Sequence, residues 1–251
     1  MKIYNFSQDK FLTKINNAEL NAQFEIIEHN ELEIPELLAQ KIDIIELAPN
    51  DFDQFKEHVM AVDWKTSQLG MADCLLLQKS SYRPMSLISS AIINLIKKNN
   101  KKINSQLPVI IIGEYHFVYS IAIQLAISGF NEIIISLTEA NESYAEMIEK
   151  KIKSFVFNLN IRVININELT TSNVTCALLI SDFKKELNRD AYELLTYFNF
   201  LLPGAVFIDC NSINEGSLVE DARKAEIAVI DETEVIAQKY NYLLEILKIS
   251  P

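Results

Sequence analysis

Hydrophobic residues in this chain fall into short continuous runs that alternate with longer stretches of helical spacing. In the first hundred residues the runs predict strands at 2–6, 24–27, 42–47 and 74–77. The helical spacing predicts helices at 10–20, 34–40, 51–62 and 86–97. Strands that alternate with helices indicate a mostly parallel sheet, because each parallel connection needs a crossover between strands.

The second half repeats this alternation with stronger signals. Residues 109–112 are all apolar, which is typical of a parallel strand buried on both faces. Further strands are predicted at 133–135, 161–164, 177–180, 205–209 and 227–230. Helices are predicted at 120–128, 144–155, 190–201, 218–225 and 233–247. The fold class is therefore α/β, with a Rossmann-type parallel sheet in the C-terminal half.

A polar, basic stretch at residues 97–106 separates the two series of elements. We interpret it as a domain boundary, and an anion-binding patch is the functional alternative. The sequence therefore predicts an N-terminal α/β domain at 1–100 and a Rossmann-type domain at 101–232. The terminal helix at 233–248 is expected to return to the first domain.

Charge narrows the classes of partner. The net charge is −11, which disfavours binding to nucleic acid through phosphate contacts and docking on an anionic membrane surface. No apolar run reaches the length of about 18 residues that a membrane span needs. No basic-then-apolar leader opens the chain.

Cysteine and histidine positions carry no metal signature. Cys74, Cys176 and Cys210 share no metal-binding or redox spacing, and each lies in or at the end of an apolar run. They are expected to be buried, reduced thiols, which favours a cytoplasmic location. His29, His58 and His116 also show no ligand spacing, so no metal site is predicted.

Glycine is scarce. The chain has 5 glycines, whereas average usage of about 7% would give roughly 18. Rossmann-type enzymes place glycine where the backbone must approach a phosphate. The composition therefore disfavours a nucleotide enzyme before any motif is considered.

Several stretches of the second half nevertheless resemble the cofactor domain of the shikimate dehydrogenases. These are residues 109–113, 121–129 and 132–135 at its start, and 202–209 with Ala222 and 230–231 near its end. Residues 235–238 look like that family's motif ending in a glutamine, here Gln238. The resemblance implies a two-domain α/β fold, with an N-terminal substrate-type domain, and a dehydrogenase that uses NADP.

The cofactor positions depart from the family's pattern. A G-x-G-G run is expected after the first strand, but the chain has Gly113, Glu114, Tyr115 and His116. Tyr115 places a ring where backbone should approach the pyrophosphate, and Glu114 adds negative charge. The family's arginine for the 2′-phosphate is absent near Thr138. Glu139 next to it could hold a ribose hydroxyl, which would favour NAD over NADP, or it is a solvated loop residue.

The substrate positions resemble the family more weakly. Lys56 lies in a segment that looks like the one holding the catalytic lysine, but residues 85–87 lack the acid that should accompany it. A surface lysine is the alternative interpretation of Lys56. The Asn-Thr pair has become Asp73 and Cys74, and an aspartate there would repel a carboxylate substrate. Thr13 and Gln238 are the remaining substrate-binding candidates.

Three functions stay open. The first is a shikimate-dehydrogenase-like protein without NADP binding or activity, retained to bind a small molecule or a protein; it would need no cofactor. The second is an active oxidoreductase of shikimate or quinate type that holds NAD or NADP through an altered loop. The third is a structural or assembly partner, and a homodimer is compatible with each.

Overall fold

The computed structural model describes residues 1–6, 23–27, 33–48, 51–59, 72–99, 103–137, 142–154, 156, 158–171, 174–183, 189–211 and 218–249. The predicted helix at 10–20 lies outside the described residues, and so does the end of the predicted helix at 51–62. Among the candidate site residues, Thr13, Thr138 and Glu139 lie outside them too, so the roles predicted for these three remain predictions.

The chain divides into two compact units. One contains residues 1–91 together with 236–251, and the other contains residues 92–235. The last part of the chain therefore belongs to the same unit as the first part. Each unit has its own sheet, and the prediction of an α/β fold is confirmed.

The first unit is built on a five-stranded mixed sheet in the order β2-β1-β3-β4-β5. Its strands are β1 (Lys2–Asn5), β2 (Glu25–Ile27), β3 (Ile44–Glu46), β4 (Cys74–Gln78) and β5 (Ser81–Met85). Strands β2, β1 and β3 are parallel, whereas β4 runs antiparallel to both β3 and β5. Its described helices are α1 (Ile34–Ala39), α2 (Phe52–Phe55) and the start of α3 (Leu87–Lys98).

Strand β5 was not predicted from the sequence. It pairs with β4 across a two-residue turn in which Lys79 adopts a positive φ of 60°. Pro84 weakens the strand signal, because proline cannot donate to a ladder. Pro84 is tolerated here because β5 is an edge strand with a neighbour on one side.

Alternate residues of the first sheet point to two separate cores. On one face, Ile3, Ile44 and Cys74 pack with Ile236 and Tyr240 of the terminal helix α9 (Glu232–Ile249). On the other face, strand residues pack against α1 and α2; this core contains Tyr4, Leu37, Ile45, Phe52, Phe55 and Leu75. Both faces of the sheet are therefore covered, as expected where parallel strands dominate.

The second unit is built on a six-stranded sheet in which every pairing is parallel, in the order β11-β10-β9-β6-β7-β8. Its strands are β6 (Val109–Gly113), β7 (Glu132–Leu137), β8 (Asn160–Ile164), β9 (Cys176–Ser181), β10 (Leu201–Asp209) and β11 (Ala228–Ile230). Its helices include α4 (Tyr115–Ile127), α5 (Glu142–Lys153), α6 (Ile166–Thr171), α7 (Arg189–Leu195) and α8 (Leu218–Lys224).

Two elements of the second unit differ from their predicted bounds. Helix α4 begins at Tyr115 rather than near residue 120, so its first turn takes up what was predicted as loop. Strand β10 begins at Leu201, where the end of a helix was predicted, because α7 stops at Leu195 and Phe198 takes a positive φ of 47°. Gly204 then has φ 80° within β10, where the register with β9 shifts.

Among the residues described, no helix is both long and apolar enough to span a bilayer.

Candidate functional site

The order of strands in the second sheet defines a candidate ligand site. The chain leaves β6 toward β7 on one side, and β9 returns to pair with β6 on the other side. In open α/β sheets ligands bind at such a switch point, at the carboxyl ends of the strands. Gly113 ends β6 and Ser181 ends β9, so the site is bounded by the residues that follow these two positions.

Only one residue connects β6 to helix α4. This residue is Glu114, which has an extended conformation and makes no side-chain hydrogen bond to the helix N-terminus. The predicted cofactor positions Tyr115 and His116 therefore lie in the first turn of α4, and both are half-buried. A helix N-terminus favours an anion, but the residue at its entrance is itself negatively charged.

The ring of Phe117 fills the space beside Gly113. A Cβ atom built on Gly113 would lie 2.8 Å from Cδ1 of Phe117 and 3.3 Å from Cβ of Asp182. Phe117 is buried. Gly113, which stands at the first glycine position of the G-x-G-G run, therefore accommodates an aromatic side chain of the helix that follows it.

Aromatic side chains continue from Phe117 along the start of α4. The Tyr115 ring stacks parallel to Tyr119, with centroids 6.0 Å apart, and meets the His116 ring edge-on at 5.0 Å. Lys151 of α5 places its Nζ 4.7 Å from the centroid of Tyr119. Burial raises the pKa of Tyr119, and nearby Tyr115 raises it further. These contacts hold the first turn of α4 in a packed arrangement.

Carboxylates follow the ends of the neighbouring strands. Asp182 follows β9, and its backbone N–H donates to the carbonyl of Ile112. Asp209 ends β10, and its pKa is raised to about 7, with burial as the largest cause. The N–H of Asn211, which donates to Asp209 Oδ1 at 3.0 Å, opposes the rise, whereas the charges of Glu232 and Asp231 contribute to it.

Nearby acids also affect the pKa of the Cys210 thiol. Burial raises the pKa of its thiol well above the ordinary value, and Asp182, Asp209 and Glu232 each raise it further. This edge of the sheet therefore carries several acids. Together with the bulky first turn of α4, it differs from the glycine-rich turn by which a dinucleotide-binding backbone approaches the diphosphate of NAD or NADP.

Lys56 lies on the surface of the first unit. Its side chain is 45% exposed, forms an ion pair with Asp53 one helical turn earlier and lies 5.7 Å from the ring of Phe52. Lys56 ends the short helix α2. Its described partners belong to its own helix, which is the arrangement of a surface lysine.

Asp73 has a structural role that the sequence did not indicate. Its two carboxylate oxygens accept hydrogen bonds from the backbone N–H groups of Leu87 at 2.6 Å and Ile88 at 2.7 Å. It therefore caps the N-terminus of α3, where an acid had been expected from residues 85–87. Asp73 is buried, and its predicted effect on a substrate carboxylate stays a prediction.

Gln238, a predicted substrate-binding residue, is buried in α9. The two residues that follow it in α9, Lys239 and Tyr240, are buried as well. Lys239 Nζ donates to Oε1 of Glu46 at 2.7 Å, and the hydroxyl of Tyr240 donates to the same oxygen at 2.7 Å. We call Glu46, Lys239 and Tyr240 the buried trio.

Sequence reasoning missed Phe117, the acids that follow β9 and β10, and the buried trio. A signal for the trio was present. Glu46 is a charge within the apolar run that contains Ile44 and Leu47. Lys239 follows Ile236 by three residues, on the helical face that also carries Tyr240 and Leu243. A charge at an apolar position of two elements is a reason to expect a buried pair.

The residues that the structure describes contain no group of three or more histidine, cysteine or acidic side chains arranged to hold a metal ion.

Comparison with solved structures places the fold. Similarity to shikimate 5-dehydrogenase from Listeria monocytogenes, in complex with shikimate and NAD, covers 98% of this chain and 95% of that one, with a TM-score of 0.74 at 13% identity. Quinate dehydrogenase from Corynebacterium glutamicum, in complex with NAD, is matched over 95% of this chain and 89% of that one, with a TM-score of 0.74 at 12% identity.

A third structure, of a shikimate 5-dehydrogenase-like protein, is matched over the full chain and 91% of its own length, with a TM-score of 0.73 at 14% identity. No protein-family model matches the sequence, and no curated protein matches it at a significant level. At such low identities the likeness establishes the fold alone. The chain therefore has the two-domain fold of the shikimate dehydrogenases.

Proposed function

We propose that this protein has lost NADP binding and dehydrogenase activity and is retained to bind a small molecule or another protein. The observation that carries the proposal is the aromatic first turn of α4, in which Tyr115 follows Gly113 by two residues and Phe117 packs against Gly113. A dinucleotide site places a second glycine at the position of Tyr115, because the pyrophosphate approaches the main chain closely there. Here that approach meets an aromatic ring.

Electrostatics supports the same proposal. Glu114 immediately precedes α4, Asp182 follows β9 and Asp209 is the last residue of β10. A phosphate binds well where donors and positive charge converge, and each of these side chains opposes it. The proposal therefore does not depend on bulk alone.

The substrate side supports the loss of catalysis. A general acid or base must lie within hydrogen-bond reach of the atom that it serves. Lys56 is instead paired with Asp53 on the surface, and the aspartate at the start of α3 is occupied by two backbone N–H groups. We infer that Lys56 does not perform proton transfer to a carbonyl oxygen.

Location and partner class belong to the proposal too. Cys74, Cys176 and Cys210 are free thiols, which supports a reducing cytoplasm. The net charge of −11 supports a partner other than nucleic acid.

An active NAD-dependent oxidoreductase is the second candidate. It is supported by the fold shared with the shikimate and quinate dehydrogenases that were crystallised with NAD. Such an enzyme would need α4 and Phe117 to move away from the pyrophosphate position.

Titration of the protein into NADPH and into NADH, followed by nicotinamide fluorescence and calorimetry, distinguishes the two candidates. The Listeria monocytogenes enzyme serves as the positive control. We expect no saturable signal with either cofactor and no turnover of shikimate or quinate. Micromolar binding, or turnover that Lys56→Ala abolishes, would establish the enzyme instead.

A further inference from the structure

The buried trio lies where an open α/β sheet binds ligands. Glu46 is the last residue of β3, and its neighbours across the sheet are Asn5 at the end of β1 and Cys74 at the start of β4. This is the carboxyl edge of the parallel strands β1 and β3. Ligands of α/β sheets bind at this edge. Here the side chain of Glu46, which belongs to the sheet, accepts the hydrogen bonds that Lys239 and Tyr240 donate.

Two donors converge on one carboxylate oxygen. Lys239 Nζ and the Tyr240 hydroxyl both reach Oε1 of Glu46 at 2.7 Å. The exposed fractions are 1% for Lys239, 2% for Glu46 and 0% for Tyr240. A buried ammonium is stable only beside an anion, so Lys239 requires a carboxylate at this position.

The other acid near Lys239 does not take this role. Asp73 acts on Lys239 through its charge, but both of its oxygens already accept hydrogen bonds from the start of α3. Burial lowers the pKa of Lys239, and the charges of Glu46 and Asp73 outweigh that effect and raise it. The lysine is therefore charged, and Glu46 is the acid in contact with it.

We propose that Glu46 is a built-in ligand, whose carboxylate occupies a site for a small monocarboxylate formed by Lys239 Nζ and the Tyr240 hydroxyl. The side-chain atoms of glutamate beyond Cβ are one methylene carbon and a carboxylate, which have the size and charge of an acetate ion. An external acid has to compete with a group that is already tethered in place. The intact chain therefore excludes small acids from this edge of the first unit.

Removal of the tethered acid tests the proposal directly. Glu46→Ala deletes the atoms that correspond to acetate and leaves the two donors in place. We expect this variant to melt at a lower temperature than the parent chain, because the buried ammonium of Lys239 loses its contact with the Glu46 carboxylate. Sodium acetate, exchanged for sodium chloride at constant ionic strength, should raise the melting temperature of the variant saturably and recover at least half of the loss.

Matched ligands and variants identify the site. Acetamide has nearly the same shape without the charge, and propionate is larger by one methylene, so neither should replace acetate. Glu46→Gln fills the space with a neutral amide and should not respond to acetate. Glu46→Ala combined with Lys239→Met should not respond either, because the cation that acetate would pair with is absent. The parent chain should melt at the same temperature in acetate and in chloride.

Several results would overturn the proposal. One is an equal acetate effect in Glu46→Ala and in the double variant. Another is a folded Glu46→Ala variant that is indifferent to acetate. If Glu46→Ala does not fold in chloride, refolding in acetate replaces the titration, and failure there counts against the site whether or not the double variant folds. No dinucleotide takes part, so the outcome is independent of the proposed loss of NADP binding.

Discussion

The ring of Phe117 lies against Gly113, so closely that a Cβ atom on Gly113 would fall 2.8 Å from Cδ1 of the ring. The glycine is thus needed for the packing of the helix that follows it. Its presence at the end of β6 matches a dinucleotide-binding pattern, but its contact explains its retention without any cofactor. The relationship between these two residues can be tested through stability alone.

Gly113→Ala should destabilise the second unit by about 1–3 kcal/mol, because overpacking forces the ring or the backbone to shift. Phe117→Ala removes the obstacle, so the double variant should lose less stability than the sum of the two single variants. Chemical denaturation of the four proteins measures this coupling. Additive losses would show that the ring does not limit the space at Gly113.

Opening of the cofactor position should require the removal of Phe117. Glu114→Ala, Tyr115→Gly and His116→Gly, with Thr138→Arg as a phosphate partner, leave the ring in place and should give no binding. Addition of Phe117→Ala should make NADPH binding detectable by fluorescence, since charge-assisted contacts contribute roughly 1.5–3 kcal/mol each.

Two controls accompany this experiment. The new glycines lie in the first turn of α4 and cost about 0.5–1 kcal/mol each, so melting must show that both variants are folded. NADH serves as a matched ligand without the 2′-phosphate and should bind the repaired protein more weakly. A folded five-site variant that binds neither cofactor would show that other groups, such as Asp182 and Asp209, still obstruct them.

Asp209 should make stability depend on pH. Burial raises its pKa from 3.8 to about 7, which corresponds to on the order of 4 kcal/mol. Below about pH 4 the carboxyl is protonated in both the folded and the unfolded chain, and burial carries no charge penalty. Between about pH 4 and 7 the unfolded chain releases the proton first, so the free energy of unfolding falls as pH rises.

Asp209→Asn should therefore stabilise the protein at pH 8 and have little effect near pH 4. The asparagine keeps the Oδ1 acceptor for the N–H of Asn211 and carries no charge. Thermal melting of both proteins across this pH range measures the difference, and the contributions of Asp231 and Glu232 remain in each. A difference that stays constant with pH would contradict the raised pKa.

Two lysines of the first unit should differ in their importance for stability. Lys239→Met leaves Glu46 buried without its cation and should cost about 3–5 kcal/mol. Lys56→Met breaks an exposed pair with Asp53 and should cost no more than about 1 kcal/mol. Urea denaturation of the two variants makes the comparison. A large loss at Lys56 would show that it has contacts beyond its own helix.

Hydrophobic spacing predicted the helices and strands whose apolar side chains form the core. The wholly apolar strand at 109–112 and the alternation around it are sufficient to predict a parallel sheet, because such strands are buried on both faces. Strand β5 and the start of β10 were not predicted, because Pro84 and the Pro203-Gly204 pair resemble the end of an element. Both lie in strands because an edge position and a register shift accommodate them.

The candidate site was less predictable, because it depends on contacts between distant residues. The sequence drew attention to the positions around Gly113, including Tyr115, but gave no indication that the ring of Phe117 packs against the glycine. Asp73 and the start of α3 are 14 residues apart along the chain. No local pattern states that an acid before β4 will cap that helix.

The buried pair of Lys239 and Glu46 restricts how helix α9 can be rotated on the first sheet. Its apolar residues Ile236, Tyr240 and Leu243 could satisfy the sheet at slightly different rotations of the helix, since apolar contact is non-directional. A rotation that carries the buried ammonium of Lys239 away from Glu46 would cost several kcal/mol. The pair of Lys239 and Glu46 therefore favours one rotation of α9 about its axis over similar rotations when the helix docks on the sheet.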